Sequence, residues 1–128
     1  MKDDFEKNQP IYQQIVDRFI SAIAVGALAP GSKIRSVREL AADFKVNPNT
    51  MQRSLSKLEE LGYLYTERTS GKYVTENLTL IQTAKARIPE EITGAFVTAM
   101  MDFGITPQDI PKYVTGYIER MEHNGNSN

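Results

Sequence analysis

The chain has 128 residues, 41% of them apolar and 24% charged, with a formal net charge of −1 and no cysteine. That length suits one domain of ordinary size or a small domain with an appendage, and such a chain typically buries about two-thirds of its extended surface. Disulfides, thiolate nucleophiles and the common zinc sites are excluded, and no apolar run approaches the roughly 20 residues that a bilayer span requires.

The opening MKDDFEK lacks the apolar segment of a signal peptide, so a cytoplasmic protein is expected. The single histidine, His123, falls in the polar end EHNGNSN, which is expected to be disordered. No nucleophile–base pair and no metal-ligating cluster is in view, so neither an enzyme, a metal site nor a cofactor is expected. The charge is uneven. Residues 1–75 hold 11 Lys+Arg against 9 Asp+Glu, and residues 76–128 hold 4 against 7. A mildly basic front half is compatible with a nucleic-acid face.

In chain order, Pro10 precedes apolar residues at Ile11, Ile15, Phe19 and Ile23, flanked by Tyr12, Val16 and Ile20. Spacing of four over more than three turns predicts an amphipathic helix, with Gly26 at its carboxyl end and a turn at Ala29–Gly31. Lys33–Arg35 can add a short extended segment. Ser36-Val37-Arg38-Glu39 has the form of a capping box and opens a second, short helix that buries Val37, Leu40, Ala41 and Phe44. Asn47 suits the N-cap of a third helix, with Pro48 at its first position, where a missing amide costs nothing. That helix buries Met51, Leu55, Leu58 and Leu61 and stops at Gly62. Asn49, Arg53, Ser56 and Glu60 face outward, with Gln52 on the flank.

The period then changes to that of a β-hairpin: Tyr63–Glu67, a turn at Arg68–Gly71, and Lys72–Thr75. Three helices and a hairpin in this order make a winged helix, and the close spacing of the second and third helices is that of a helix-turn-helix. Past residue 76 the pattern is helical. Ile81, Ala84, Ile88, Ile92, Phe96, Ala99 and Phe103 share one stripe across Pro89, which either kinks one helix or starts another. Thr106–Asp109 looks like a fresh cap, followed by a last stripe at Tyr113, Val114, Tyr117, Ile118 and Met121. The predicted fold is mostly α: a winged-helix domain over residues 1–76 and a small helical tail over 77–128.

The polar residues at the start of the third helix need a reason. The second helix of a helix-turn-helix enters the major groove by its amino-terminal end. Asn and Gln there can bridge adenine N6 and N7, and Arg can bridge guanine O6 and N7. Asn49, Gln52 and Arg53 are of those types. Asn47 serves as a cap or as a base reader, and Thr50 either supplements the cap or joins the contact. Arg35 and Arg38 flank Ser36 where phosphate would lie, and folding does not call for either. At the hairpin tip, Arg68, Thr69, Ser70, Gly71 and Lys72 suit a phosphate or the minor groove; a merely solvated hairpin is the alternative.

The stretch IRSVRELAADFKVNPNTMQRSLSKLEELGYLYTERTSGKYV resembles the winged-helix domain of GntR-family bacterial transcription regulators, whose signature runs roughly L-P-S-x-R-x-L-A and later L-E-x-x-G. PIYQQIVDRFISAIAVGALAPGSKI is similar to that family's first helix and loop. The VNPNT turn and the short two-helix tail resemble the YtrA-type branch. The resemblance implies a homodimeric repressor on an inverted-repeat operator, with each third helix in a major groove and each wing in a minor groove. It places Arg38 at the helix-2 arginine that touches phosphate, Asn49, Thr50, Gln52 and Arg53 in the contact window, and Gly71 at the wing glycine. It also implies a setting beside ABC-type transporter genes.

Two departures stand out. Arg35 replaces the usual proline before Ser36, and Glu67-Arg68-Thr69-Ser70-Gly71 stands where related wings often carry Arg-Arg-Gly-Lys-Gly. About 50 residues of tail cannot enclose a large ligand pocket. Its apolar stripes (Ile81, Ala84, Ile88, Ile92, Phe96, Ala99, Phe103, and then Tyr113, Tyr117 and Met121) are expected to form a dimer interface, because a helical pair cannot hide two apolar faces alone. No residue cluster marks a small-molecule inducer. The competing reading is a winged-helix module for protein contact, whose third helix would more often present Tyr, Leu or Met.

Overall fold

A computed structural model describes residues 5–126. Among them are seven elements: α1 Ile11–Ala24, α2 Val37–Phe44, α3 Pro48–Glu60, β1 Leu64–Glu67, β2 Gly71–Val74, α4 Leu78–Asp102 and α5 Ile110–Asn126. They divide into two compact units, with the boundary between Ile88 and Pro89.

In the first unit, α1 buries Ile15, Val16, Phe19, Ile20 and Ile23, the four-residue stripe with its neighbours. They share one core with Leu40, Ala41 and Phe44 of α2 and with Met51, Leu55 and Leu58 of α3. Phe44 lies between two stacked rings, Phe19 at 6.0 Å and Phe5 at 6.2 Å between centroids. Leu61, expected inside, is the C-cap of α3 and 43% exposed. Of the three buried polar residues Gln14, Ser54 and Thr75, the first two tie segments of the unit together. Gln14 donates to the carbonyls of Glu6 and Gln9 and accepts from the Glu6 amide, all at 2.8–2.9 Å, tying the segment before α1 to the helix. The Ser54 hydroxyl donates to the carbonyls of Thr50 at 2.9 Å and Tyr12 at 3.2 Å, joining α3 to α1. Both are satisfied, as buried polar groups must be.

The hairpin pairs Leu64 with Val74 through to Glu67 with Gly71. The extended segment expected near Lys33 is a single antiparallel bridge from Lys33 to Tyr73, flanked by amide bonds from Ile34 to Lys72 and from Val74 to Ser32. Three helices followed by this hairpin make the winged helix-turn-helix.

The structure corrects one part of the expected tail. Ile81 and Ala84 are 8% and 1% exposed and belong to the core of the winged-helix unit, with Ile88 packed against it. They are therefore not available to a dimer interface. The first turns of α4 complete the core of the unit that precedes them, so the compact boundary falls after Ile88 instead of after residue 76.

The helix runs unbroken through Pro89, which resolves the two alternatives in favour of one element. Proline removes one amide, so the carbonyl four residues back loses its usual donor without ending the helix. In the second unit, Gly104 takes a positive φ of 91° and the amides of Phe103 and Gly104 close the end of α4. Asp109 bonds back to Thr106 before α5 begins. The polar end expected to be disordered is helical as far as Asn126; residues 127 and 128 lie outside the described residues. No described helix is long and apolar enough to cross a membrane.

Candidate nucleic-acid interface

At the start of α2 the capping box forms as expected. Ser36 Oγ accepts from the Glu39 amide, and the Glu39 carboxylate accepts from the Ser36 amide and hydroxyl. Those bonds, the backbone amide first, hold the Glu39 carboxyl below its ordinary range, with Arg35 adding to the effect. Arg35 itself is engaged by Asp43 in close contact and by Glu39 at 3.5 Å. This corrects the expectation that both arginines are surplus to folding: Arg35 bridges the two ends of α2. Arg38, by contrast, is exposed and pairs with no described group.

Between α2 and α3 the chain turns through Lys45, which adopts the left-handed conformation at φ 56°. Asn47 Oδ1 then accepts from the Asn49 amide at 2.7 Å, and Pro48 opens α3. The cap occupies Asn47 and leaves the exposed Asn49 side chain unengaged. Thr50 is half-buried one position further on. Gln52 is exposed and donates to Ser56 Oγ at 3.3 Å. Arg53 lies with its guanidinium carbon 3.6 Å from the centre of the Tyr12 ring.

The wing and the start of α2 enclose a cleft of about 510 Å³. Arg35, Ser36, Arg68, Thr69, Ser70, Gly71 and Lys72 all line it, together with Lys33. These predicted residues thus come together in space, although two chain segments supply them. Arg68 and Thr69 stand exposed at the tip, while the Ser70 and Tyr73 hydroxyls bond closely. Gly71 has φ 123°, a conformation that favours glycine, and a β-carbon there would lie 3.1 Å from the Lys33 side chain, which would have to shift slightly.

Lys72 is not a free wing cation. Its ammonium donates to Glu59 at 2.7 Å and to Thr66 Oγ1 at 2.9 Å, and Thr66 donates to the other Glu59 oxygen at 2.6 Å. This network joins the wing to the end of α3, and the lysine bond above all holds the Glu59 carboxyl below its ordinary range. A carboxylate depressed by folding stabilises above its unfolded pKa, and that contribution disappears as pH falls through the folded value. Glu59→Gln is therefore expected to lower the melting temperature at pH 7, by the equivalent of roughly 0.2–1 kcal/mol. Wild type and variant should converge once the pH falls below the folded value, and a gap that is equal at pH 7 and in acid in thermal melts would rule out this linkage.

Three participants escape sequence reading: Tyr12, Lys33 and Glu59. Each acts on a residue distant in the chain, and a single sequence carries no signal for such pairs.

A scan of family models matches residues 11–74 to bacterial regulatory proteins of the gntR family. The chain is 34% identical over 119 residues to the uncharacterised HTH-type transcriptional regulator YhcF of Bacillus subtilis, covering 93% of this chain and 98% of that protein. It is 35% identical over 98 residues to the HTH-type transcriptional repressor YtrA of the same organism, covering 75% of each. Among solved structures, a GntR family transcriptional regulator from Listeria monocytogenes superposes with a TM-score of 0.78 at 38% identity, over 88% of this chain and 98% of that one. The helix-turn-helix geometry and these similarities agree, and the chain belongs to the GntR family of bacterial transcription regulators.

Proposed function

We propose that this regulator is a homodimeric repressor that binds an inverted-repeat operator, with α3 in the major groove and the hairpin wing at the minor groove. The observation that carries the reading is the outer face of α3: Asn47 takes the capping duty, so the side-chain carboxamide of Asn49 stands free at the entry end beside Gln52 and Arg53. Arg38, unpaired, supplies a phosphate contact, and Arg68 and Thr69 supply the wing's. Lys72 and Arg35 contribute to the field of the cleft while holding its walls. A protein-docking face would present apolar side chains here, and this one does not.

Dimer formation is supported by the second unit. Ile110 is buried, while Ile92, Phe96, Phe103, Tyr113, Tyr117 and Met121 are all exposed, Phe103 by 87%. Monomers rarely leave a contiguous apolar area of this kind uncovered. A second copy of the chain covers it, and the dimer then carries two winged-helix units for two half-sites.

The test is selection of binding sites from random-sequence DNA by the full chain, followed by titration of the winning site and a scrambled one at two salt concentrations. Arg38→Ala is expected to weaken binding to both and to flatten the salt dependence by about one unit of slope. Asn49→Ala is expected to relax preference at one base pair, costing about 1–3 kcal/mol there. Recovery of a two-fold symmetric site supports the dimer. Equal losses on both DNAs from the Asn49 change would remove it as a base reader.

A further inference from the structure

We infer that Tyr12 is a positioning residue for base readout, holding the guanidinium of Arg53 as a preset reader of guanine; the inference rests on the DNA-binding reading above. Arg53 is one turn beyond Asn49 on the outward side of α3, and its guanidinium carbon lies 3.6 Å from the Tyr12 ring centre. The cation thus lies over the face of the ring at the separation of a stacked planar pair. Stacking uses the face of the guanidinium and leaves its N–H donors, which all lie in the plane, available at the edge. A planar edge of donors matches guanine O6 and N7, which accept side by side in the major groove.

The ring is itself held in place. Tyr12 is half-buried at the start of α1, and its backbone carbonyl accepts the Ser54 hydroxyl at 3.2 Å across 42 residues of chain. Ser54 follows Arg53 directly on α3. The seam that locks α1 to α3 therefore also fixes the ring relative to the arginine that it carries. A flexible arginine loses rotamer freedom when DNA orders it; one already stacked has lost much of that freedom beforehand. Of the three candidate base readers, Arg53 alone is held by a different element: Gln52 bonds within its own helix, and Asn49 is held by nothing described.

Because the Ser54 bond goes to the Tyr12 backbone, substitution of the ring leaves it in place. That permits a double-mutant cycle on the full-length protein with Tyr12→Ala, Arg53→Ala and both, titrated on the selected site. A second version of the site carries 7-deazaguanine, which lacks N7, at each guanine in turn. Arg53→Ala is expected to weaken binding about 10-fold or more, and Tyr12→Ala by roughly 2- to 5-fold, the scale of an exposed cation–π contact. The double variant should bind no more weakly than Arg53→Ala alone. Tyr12→Phe, which keeps the ring, should restore wild-type affinity, and Arg53→Lys should not rescue.

One 7-deazaguanine position should weaken wild type, weaken Tyr12→Ala less, and leave Arg53→Ala unaffected. A purely structural role for Tyr12 would lower the melting temperature without changing that guanine sensitivity. If the two losses multiply in the double variant, Tyr12 does not act through Arg53 and the inference is overturned. If no 7-deazaguanine position distinguishes wild type from Arg53→Ala, guanine reading is overturned while DNA binding stands. Failure to select any site overturns the DNA-binding reading, and this inference with it.

Discussion

On the proposed dimer, Phe96→Glu in the second unit is expected to give a monomer and to reduce operator affinity by about 10²- to 10⁴-fold, the range lost when two linked binding events become one. Phe96 lines two apolar clefts of this unit, one with Met100, Tyr113, Val114, Tyr117 and Ile118, the other with Ile92, Val97 and Ile110. A carboxylate buried there between two copies would have no partner on its own helix, where Ile92, Thr93, Ala99 and Met100 are the neighbours one turn away. An uncompensated buried charge costs several kcal/mol. Sedimentation equilibrium reads the mass, and titration of the selected operator reads the affinity. Circular dichroism should show the helices retained. A Phe96→Glu protein that remains dimeric and binds as tightly as wild type would remove this face as the interface.

Phe44→Ala addresses the other unit and is expected to cost about 3–5 kcal/mol of its stability. Phe44 is 1% exposed, and its ring joins the Phe5 ring outside to the Phe19 ring inside. Removing it opens a cavity at the point where α1 and α2 meet, and the two flanking rings lose their common partner. At roughly 4–8 °C per kcal/mol for a domain of this size, the melting temperature should fall by well over 10 °C. Phe44→Leu, which fills most of the volume, should fall much less. A loss below about 1 kcal/mol in urea melts for the alanine variant would mean that the stack is not central to the core.

The difference between what could be read and what could not follows from the range of the interactions. The helices of the first unit announce themselves locally. Apolar residues four apart mark α1, the Ser36–Glu39 box starts α2, and Asn47 with Pro48 starts α3; each of these signals lies within four residues of the feature that it controls. Gly71 was legible as a turn glycine of the wing, and its φ of 123° is one that glycine adopts without the strain other residues would incur. Arg38 and Asn49 were legible as candidates by residue type and position on a helix.

Other residues took their roles from partners far along the chain. Gln14 sits among apolar residues with no local reason to be buried, and only the returning carbonyls of Glu6 and Gln9 make burial affordable. Arg35, a candidate phosphate contact by type, is engaged by Asp43 at the surface. Lys72 is drawn by Glu59, and Arg53 by Tyr12. Ile81 and Ala84 show the same limit in apolar form: their spacing placed them correctly on the stripe of a helix, yet spacing does not say which neighbour covers that stripe.

By itself, then, the sequence determined the order of the elements, their caps and the polar face of α3, because those depend on backbone geometry and on side chains within a turn of each other. Only the tertiary structure decided which cations remain free for DNA, that α4 begins as part of the winged-helix core, and that the α1 ring of Tyr12 carries the arginine of α3. Those outcomes depend on pairs of charges and surfaces brought together by folding, whose energies act over a few ångströms in space and leave no periodic trace along the chain.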